Sequence, residues 1–173
     1  MTSVLTNQGL ISDSLITDSL TLELHDPNTP YNILYSYKGV INTNGIIYCN
    51  LPYSSLGNSY YLVVRHRSAI ETWSSNPFTV AATNMYDFTT AANKAYGNNE
   101  IDALNENIWS MYNGDLNQDG AIDANDYLLL DIDMQGFASG YYASDLNGDG
   151  TVDSSDFLIL DANIQGFISS ITP

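Results

Sequence analysis

Residues 114–137 read GDLNQDGAIDANDYLLLDIDMQGF, and residues 144–167 read SDLNGDGTVDSSDFLILDANIQGF. Shifted by 30 positions, the two segments agree at thirteen of twenty-four places, which chance does not produce, so this part of the chain is an internal duplication. Each copy sets side-chain oxygens at relative positions 1, 3, 5, 9 and 12: Asp115, Asn117, Asp119, Asp123 and Asp126, then Asp145, Asn147, Asp149, Asp153 and Asp156. That is calcium-loop spacing. A hard cation of that size takes about six to eight oxygens at roughly 2.3–2.6 Å, and a twelve-residue loop wound around it turns alternate side chains inward. Position 6 must turn sharply and is Gly in both copies, Gly120 and Gly150, which can take positive φ at little steric cost. Position 7 contributes its carbonyl, so Ala121 and Thr151 complete the two predicted ligand sets. Position 8, Ile122 and Val152, is expected to enter the core.

Working outward, the residues after each loop have apolar side chains at near-helical spacing: Tyr127, Leu128 and Leu130 in one, Phe157, Leu158 and Leu160 in the other. The spacing predicts short helices over 124–133 and 154–163. Gln135-Gly136-Phe137 and Gln165-Gly166-Phe167 read as helix stops, with Gly in the left-handed position and Phe packed back into the core. No full helix is predicted before either loop. Asp131 and Asp161 fall late in the helices, against the dipole, at a cost of a few tenths of a kcal/mol; an exposed charge or a local hydrogen bond is expected there, ahead of a partner contact.

A duplicated DxNxDGxxDxxD loop, each copy followed by one helix, resembles a type I dockerin, from Gly114 to about Pro173. The resemblance implies two calcium ions holding two helices in a two-fold arrangement that docks onto a cohesin. In that family the contacts concentrate at loop positions 10 and 11 and at basic residues further along the helix. Here positions 10 and 11 are Ala124-Asn125 and Ser154-Ser155, and Asp131-Ile132 and Asp161-Ala162 stand where Lys or Arg is expected. A β-sandwich followed by such a pair also resembles the C-terminal module of large secreted bacterial surface proteins.

Charge divides the chain of 173 residues. Residues up to Lys94 hold six acids and all four bases, a net −2, whereas the rest holds fourteen acids and no base, a net −14. The sign argues against nucleic acid and anionic membranes as partners and favours cations. A hydrophobic fraction of 44% with thirteen Tyr is too apolar for a disordered acidic tail. The break places a boundary near Gly97, giving 1–97 as one domain, 98–113 as a connecting segment and 114–173 as the dockerin-like domain.

The first domain reads as β. Leu20, Leu22 and Leu24 alternate with Thr21 and Glu23, and Ile33, Tyr35 and Tyr37 alternate with Leu34 and Ser36. Asp26-Pro27-Asn28-Thr29-Pro30, Thr43-Asn44-Gly45 and Leu56-Gly57-Asn58 are turns, the second joining hairpin strands that end near Ile41 and begin at Ile46. Further strands are expected at 60–67, 71–73 and 78–81. The fold class is therefore α+β: an N-terminal antiparallel β-sandwich of Ig-like kind, then the pair of loop-plus-helix units.

Catalysis finds little support. His25 and His66 have no zinc or triad signature around them, no nucleophile elbow or phosphate-cradling Gly loop occurs, and few carboxylates of the first domain are available for glycoside chemistry. Arg65 and Arg67 are expected to form ion pairs with the acidic second domain. Tyr48, Tyr53, Tyr60, Tyr61 and Trp73 could line a sugar-stacking face but fit core and interface use better. The lone Cys49 reads as a small buried hydrophobe. No apolar run approaches the roughly 18 residues of a membrane span, and the Met1 segment lacks the pattern of a signal peptide.

The expected function is that of a non-enzymatic, extracellular or cell-surface module, stiffened by two calcium ions, that docks a protein partner or a neighbouring domain of a larger parent chain. Two alternatives remain: a cohesin-binding dockerin of a polysaccharide-degrading complex, and a carbohydrate-binding or fibre-forming surface domain that self-associates.

Overall fold

A computed structural model describes residues 4–173, and the reading of the Met1 segment begins outside the described residues. One helical turn, α1 (Val4–Asn7), lays the buried Val4 and Leu5 against the first strand. That strand, β1 (Ile16–His25), becomes the centre of the sheet because its alternating leucines bury one face while Glu23 and His25 find polar partners on the other. It pairs antiparallel with β2 (Ile33–Asn42) on one side and β3 (Ser59–His66) on the other, Leu22 standing between Tyr37 and Val64. A tight turn at Arg67-Ser68 leads into β4 (Ala69–Trp73), and the short β5 (Phe78–Thr79) pairs with the start of β3.

Among the described residues all five strands join one open antiparallel sheet, with β2, β1, β3 and β4 in that order. The α+β class therefore holds, and the two-sheet Ig-like sandwich does not form. The reason is a shortage of strand. After the Thr43-Asn44-Gly45 turn the chain makes one bridge, Ile41 to Ile47, and then leaves the sheet, while the expected 78–81 strand shortens to two residues. Irregular chain and the duplicated unit cover the sheet instead. Phe88 and Met111 pack on the cluster of Leu20, Ile41 and Val64, and Leu51 and Val80 pack with Leu24 and Tyr60.

The segment 98–113 is tied down. Ile101 bridges Ser110, the Trp109 amide donates to the Thr89 carbonyl at 2.9 Å, and Asn113 bridges Ala69 beside the amide of Ile70, which donates to the Tyr112 carbonyl. Gly97 has a φ of +65°, and a Cβ there would lie 2.7 Å from the Ile171 side chain, so the predicted boundary sits against the C-terminal tail.

The duplication folds as two near-copies. The helices are α2 (Ala124–Gln135) and α3 (Ser154–Gln165), each one turn-half longer at its end than the periodicity predicts. Ile122, Leu130, Leu146, Val152 and Leu160 form their core, confirming position 8 as an inward residue, and the fully buried Ile70 of β4 belongs to the same cluster. The two copies also interlock. Ser169, after α3, bridges Ala121 of loop 1, and Ser139, after α2, bridges Thr151 of loop 2.

Both helix stops differ from expectation. Gly136 and Gly166 keep right-handed φ values of −78° and −75°, and the next residues, Phe137 and Phe167, take the left-handed turn at φ 51° and 52°. The bonds are those of a Schellman motif: Phe137 N–H donates to the Met134 carbonyl and Ala138 N–H to that of Asp133. This geometry throws both rings outward, so Phe137 and Phe167 are 89% and 91% exposed rather than core.

Candidate metal centres

The predicted ligands come together loop by loop. In loop 1, Asp115 is 2% exposed; its Oδ1 accepts from Asp119 N–H and its Oδ2 from Gly120 N–H, each at 3.1 Å. Asn117 Oδ1 accepts from Asp119 N–H, and Asn117 Nδ2 donates to Asp119 Oδ2, which links positions 1, 3 and 5. Asp123 is at once position 9 and the N-cap of α2, accepting from Asn125 N–H at 2.7 Å. Asp126 closes the loop from inside the helix. Fully buried, it accepts from Leu116 and Asn117 N–H on Oδ1 and from Asp123 N–H on Oδ2, so position 12 also completes the capping box.

Loop 2 repeats this almost bond for bond. Asp145 accepts from Gly148 and Gly150, Asn147 links to Asp149, Asp153 caps α3, and the fully buried Asp156 accepts from Leu146, Asn147 and Asp153. Gly120 and Gly150 take φ of +88° and +91°, as position 6 requires. Ala121 and Thr151 carry no functional side chain in this role. Their bridges bond through Gly120 O and Ile122 N–H, and through Gly150 O and Val152 N–H, one residue to either side, so the position-7 carbonyl turns away from its bridge partner.

Burial pushes the Asp115 carboxyl above its ordinary pKa against the bond from Gly120, and the Asp126 and Asp119 charges add to the rise. Burial likewise raises Asp145. In the second loop only, Thr151 donates from both N–H and Oγ1 to Asp149 and lowers that carboxyl. Among the described residues no three His, Cys, Asp or Glu side chains are set to hold a metal ion as they stand. The donor chemistry still fits a hard cation. Each loop offers carboxylate and amide oxygens, a main-chain carbonyl and no nitrogen or sulfur ligand, with no basic side chain within it.

The loops differ in what they rest on. Gln118, at position 4 with φ 59°, donates to the Asp115 carbonyl at 2.5 Å and reaches the Ala69 carbonyl at 3.4 Å. Loop 2 has Gly148 there. Loop 2 instead neighbours a network that sequence reading missed. Asp18, on β1, accepts from Tyr141 Oη at 2.5 Å, from Arg67 Nη2 at 3.1 Å and from His66 Nε2 at 3.1 Å. Burial alone would raise Asp18, but the bonds from His66 and Tyr141 outweigh it and hold the carboxyl well below the usual range.

Arg67 also donates to the Tyr142 carbonyl and stacks over the Tyr141 ring at 4.6 Å. It thus meets the segment between the two copies through a carbonyl and a ring, while Arg65 pairs with Glu23 and Glu71 inside the sheet. The expected ion pairs to the acidic loops do not form, because the sheet has its own buried carboxylates to neutralise first. A Ser68–His66–Asp18 chain exists, but Ser68 is 1% exposed and directs its hydroxyl hydrogen to Asn113 Oδ1, so it is not a poised nucleophile. His25 is held between Glu23 and the Tyr31 carbonyl. Asp131 and Asp161 each accept from the side-chain amide of Gln135 and Gln165, one turn on, at 2.6 Å.

The five aromatic rings do not share a surface. Tyr60 and Trp73 are buried, Tyr48 and Tyr53 stand 77% and 88% exposed, and Tyr61 lies edge-on to Trp73. Cys49 is half-buried, and burial raises its thiol.

Residues 113–165 match the family model of the dockerin type I domain, so the resemblance carried by the paired loops holds for that segment. Type I dockerins bind calcium and are non-catalytic modules that dock a protein partner, a cohesin in general, in extracellular or cell-surface proteins. Neither the curated proteins nor the solved structures gave a match. Among the described residues no helix is long and apolar enough to cross a membrane.

Proposed function

We propose that the whole chain is a non-enzymatic extracellular or cell-surface module, in which two calcium ions, one per loop, rigidify a dockerin-like domain that docks a protein partner. The observation that carries this reading is the repeated donor set. Asp115, Asn117, Asp119, Asp123, Asp126 and the Ala121 carbonyl would hold one ion; Asp145, Asn147, Asp149, Asp153, Asp156 and the Thr151 carbonyl would hold the other. Bound calcium supplies the positive charge that these acidic loops lack, so folding of the unit is linked to the metal. The reading keeps the divisions 1–97, 98–113 and 114–173.

The docking surface in this reading is the outward side of the two helices. Leu128, Ile132 and Phe137 on one copy and Leu158 and Phe167 on the other are all more than half exposed, and the absence of Lys and Arg favours an apolar contact over a charged one. A cohesin in a polysaccharide-degrading complex is the second reading, supported by the family match and tested directly. Calorimetric titration is expected to give saturable calcium uptake, and cohesin-type domains should be retained on the immobilised chain in calcium and released in EDTA. No saturable uptake removes the calcium reading; uptake without retention leaves a module with a different protein partner.

A further inference from the structure

One difference between the two copies of the duplication falls where the unit meets the sheet. Two residues ahead of the first ligand of loop 1 stands Asn113; thirty positions on, the matching residue is Ala143. Both ends of the Asn113 side chain are used. Its Oδ1 accepts from Ser68 Oγ, between β3 and β4, at 3.2 Å, and its Nδ2 donates to the Leu146 carbonyl at 3.0 Å. The main chain of the same residue bridges Ala69 of β4, and its carbonyl accepts from Asn163 Nδ2 of α3 at 2.7 Å. Sheet, second loop and last helix therefore meet at one residue.

The bond to Leu146 reaches into the second loop. Leu146 lies between Asp145 and Asn147, candidate ligand positions 1 and 3, and is 7% exposed. Its N–H donates to Asp156 Oδ1, at position 12, at 2.7 Å. The stretch between the first two ligands is thus held on one side by the carboxylate that closes the loop and on the other by an amide that the sheet orients. Ser68, which orients that amide, is 1% exposed and fixed by the Gly114 N–H, which donates to its carbonyl at 2.6 Å. Bonds of this outer kind set the path of the ligands without touching the ion, and their loss typically costs about ten- to a hundredfold in metal affinity. Ala143 has no side-chain amide to do the same for loop 1.

We propose that Asn113 is a positioning residue for the second calcium site: by tying Leu146 to the sheet it holds loop 2 in its binding shape. Coupling is reciprocal, so an ion in loop 2 also stabilises the sheet. The inference rests on the reading of one ion per loop, and it makes loop 2 the site whose affinity the sheet sets.

The test silences one loop at a time in the full chain, Asp119→Ala removing position 5 of loop 1 and Asp149→Ala that of loop 2. Calorimetric titration with calcium then reads the remaining site, with and without Asn113→Ala. Alanine is what the repeat itself carries at position 143, and the main-chain bonds of residue 113 survive the change, so the fold is expected to hold. With loop 1 silenced, Asn113→Ala should weaken calcium binding about tenfold; with loop 2 silenced, the change should stay within about twofold. A second readout separates positioning from plain stability. Trp109→Phe leaves Trp73 of β4 as the sole tryptophan, and its fluorescence follows urea unfolding of the sheet. In the loop-1-silenced chain calcium should raise that midpoint, and Asn113→Ala should shrink the rise, whereas a merely structural residue would lower the midpoint equally in calcium and in EDTA. Equal loop-2 affinities with and without the Asn113 side chain, an equal loss at both loops, or an undiminished rise would overturn the proposal. Absence of calcium uptake by the parent chain would instead overturn the one-ion-per-loop reading and the proposal with it, so the two failures are told apart.

Discussion

Loop 1 and loop 2 share their internal bonds and differ in their neighbours. Asp126 and Asp156 are both fully buried and each accepts three amides from equivalent places, yet loop 1 leans on the β3–β4 turn through Gln118 while loop 2 lies beside the Asp18–Arg67–Tyr141 network. A duplicated sequence therefore duplicates local structure, and each copy's environment is set by which part of the sheet it meets. The lesson is that the copies are equivalent in how they would hold an ion and not in what a perturbation from the sheet would do to them.

The strongest way to break that comparison is at position 12. Asp126→Ala and Asp156→Ala each strand three buried amides, and each should cost on the order of 4 kcal/mol in urea unfolding at saturating calcium. The two values should agree within about 1 kcal/mol, since the lost bonds are the same; a loop that tolerates the change would show that the equivalence is superficial. Next comes Arg67→Ala, which removes the Asp18 pair, the bond to the Tyr142 carbonyl and the stacking on Tyr141. A loss of about 3 kcal/mol is expected. Hydrogen exchange should quicken at Gly148 and Gly150 and stay within twofold at Asp119 and Gly120.

Acid sharpens the same contrast from the carboxylate side. Asp18 is held below its unfolded value, so below about pH 4 the unfolded chain takes up a proton that the folded chain refuses, and stability falls as the pH drops. Asp18→Asn should flatten the dependence of the urea midpoint between pH 5 and pH 2; an unaltered slope would remove Asp18 as its source. Smaller again is the effect at the helix stops. Phe137→Gly and Phe167→Gly relieve a left-handed aromatic residue whose ring touches solvent, and each should stabilise by about 1 kcal/mol. The same variants should weaken partner binding if the exposed rings belong to the docking surface, which separates their two roles. Smallest is Gln118→Gly, which makes loop 1 match loop 2 at position 4. Relief of its backbone strain offsets the lost side-chain bonds, so the net change should stay within about 0.5 kcal/mol.

The misreadings have a common cause. Placing Phe137 in the core treated Gly136 as the left-handed residue, when the Schellman bonds put the positive φ one position later. Pairing both Arg residues with the acidic half treated charge as additive along the chain, when Glu23, Glu71 and Asp18 are nearer in the sheet. The sandwich was inferred from strand spacing, which says nothing about which strands find partners. Glu100, buried with neither carboxylate oxygen hydrogen-bonded among the described residues, carried no sequence signal, because its burial depends on segments that arrive from other parts of the chain.

By itself, the sequence determined the two loops, the residue types at each candidate ligand position, the sharp glycine turns, the helices that follow and the apolar residue at position 8. These rest on contacts within about twelve residues, where spacing alone fixes geometry. Only the tertiary structure decided that the strands make one open sheet, that Ile70 of the sheet completes the core of the duplicated unit, and that the two loops rest on different ground. Those outcomes depend on residues tens of positions apart, whose meeting is set by the packing of the whole chain and leaves no periodic mark in the sequence.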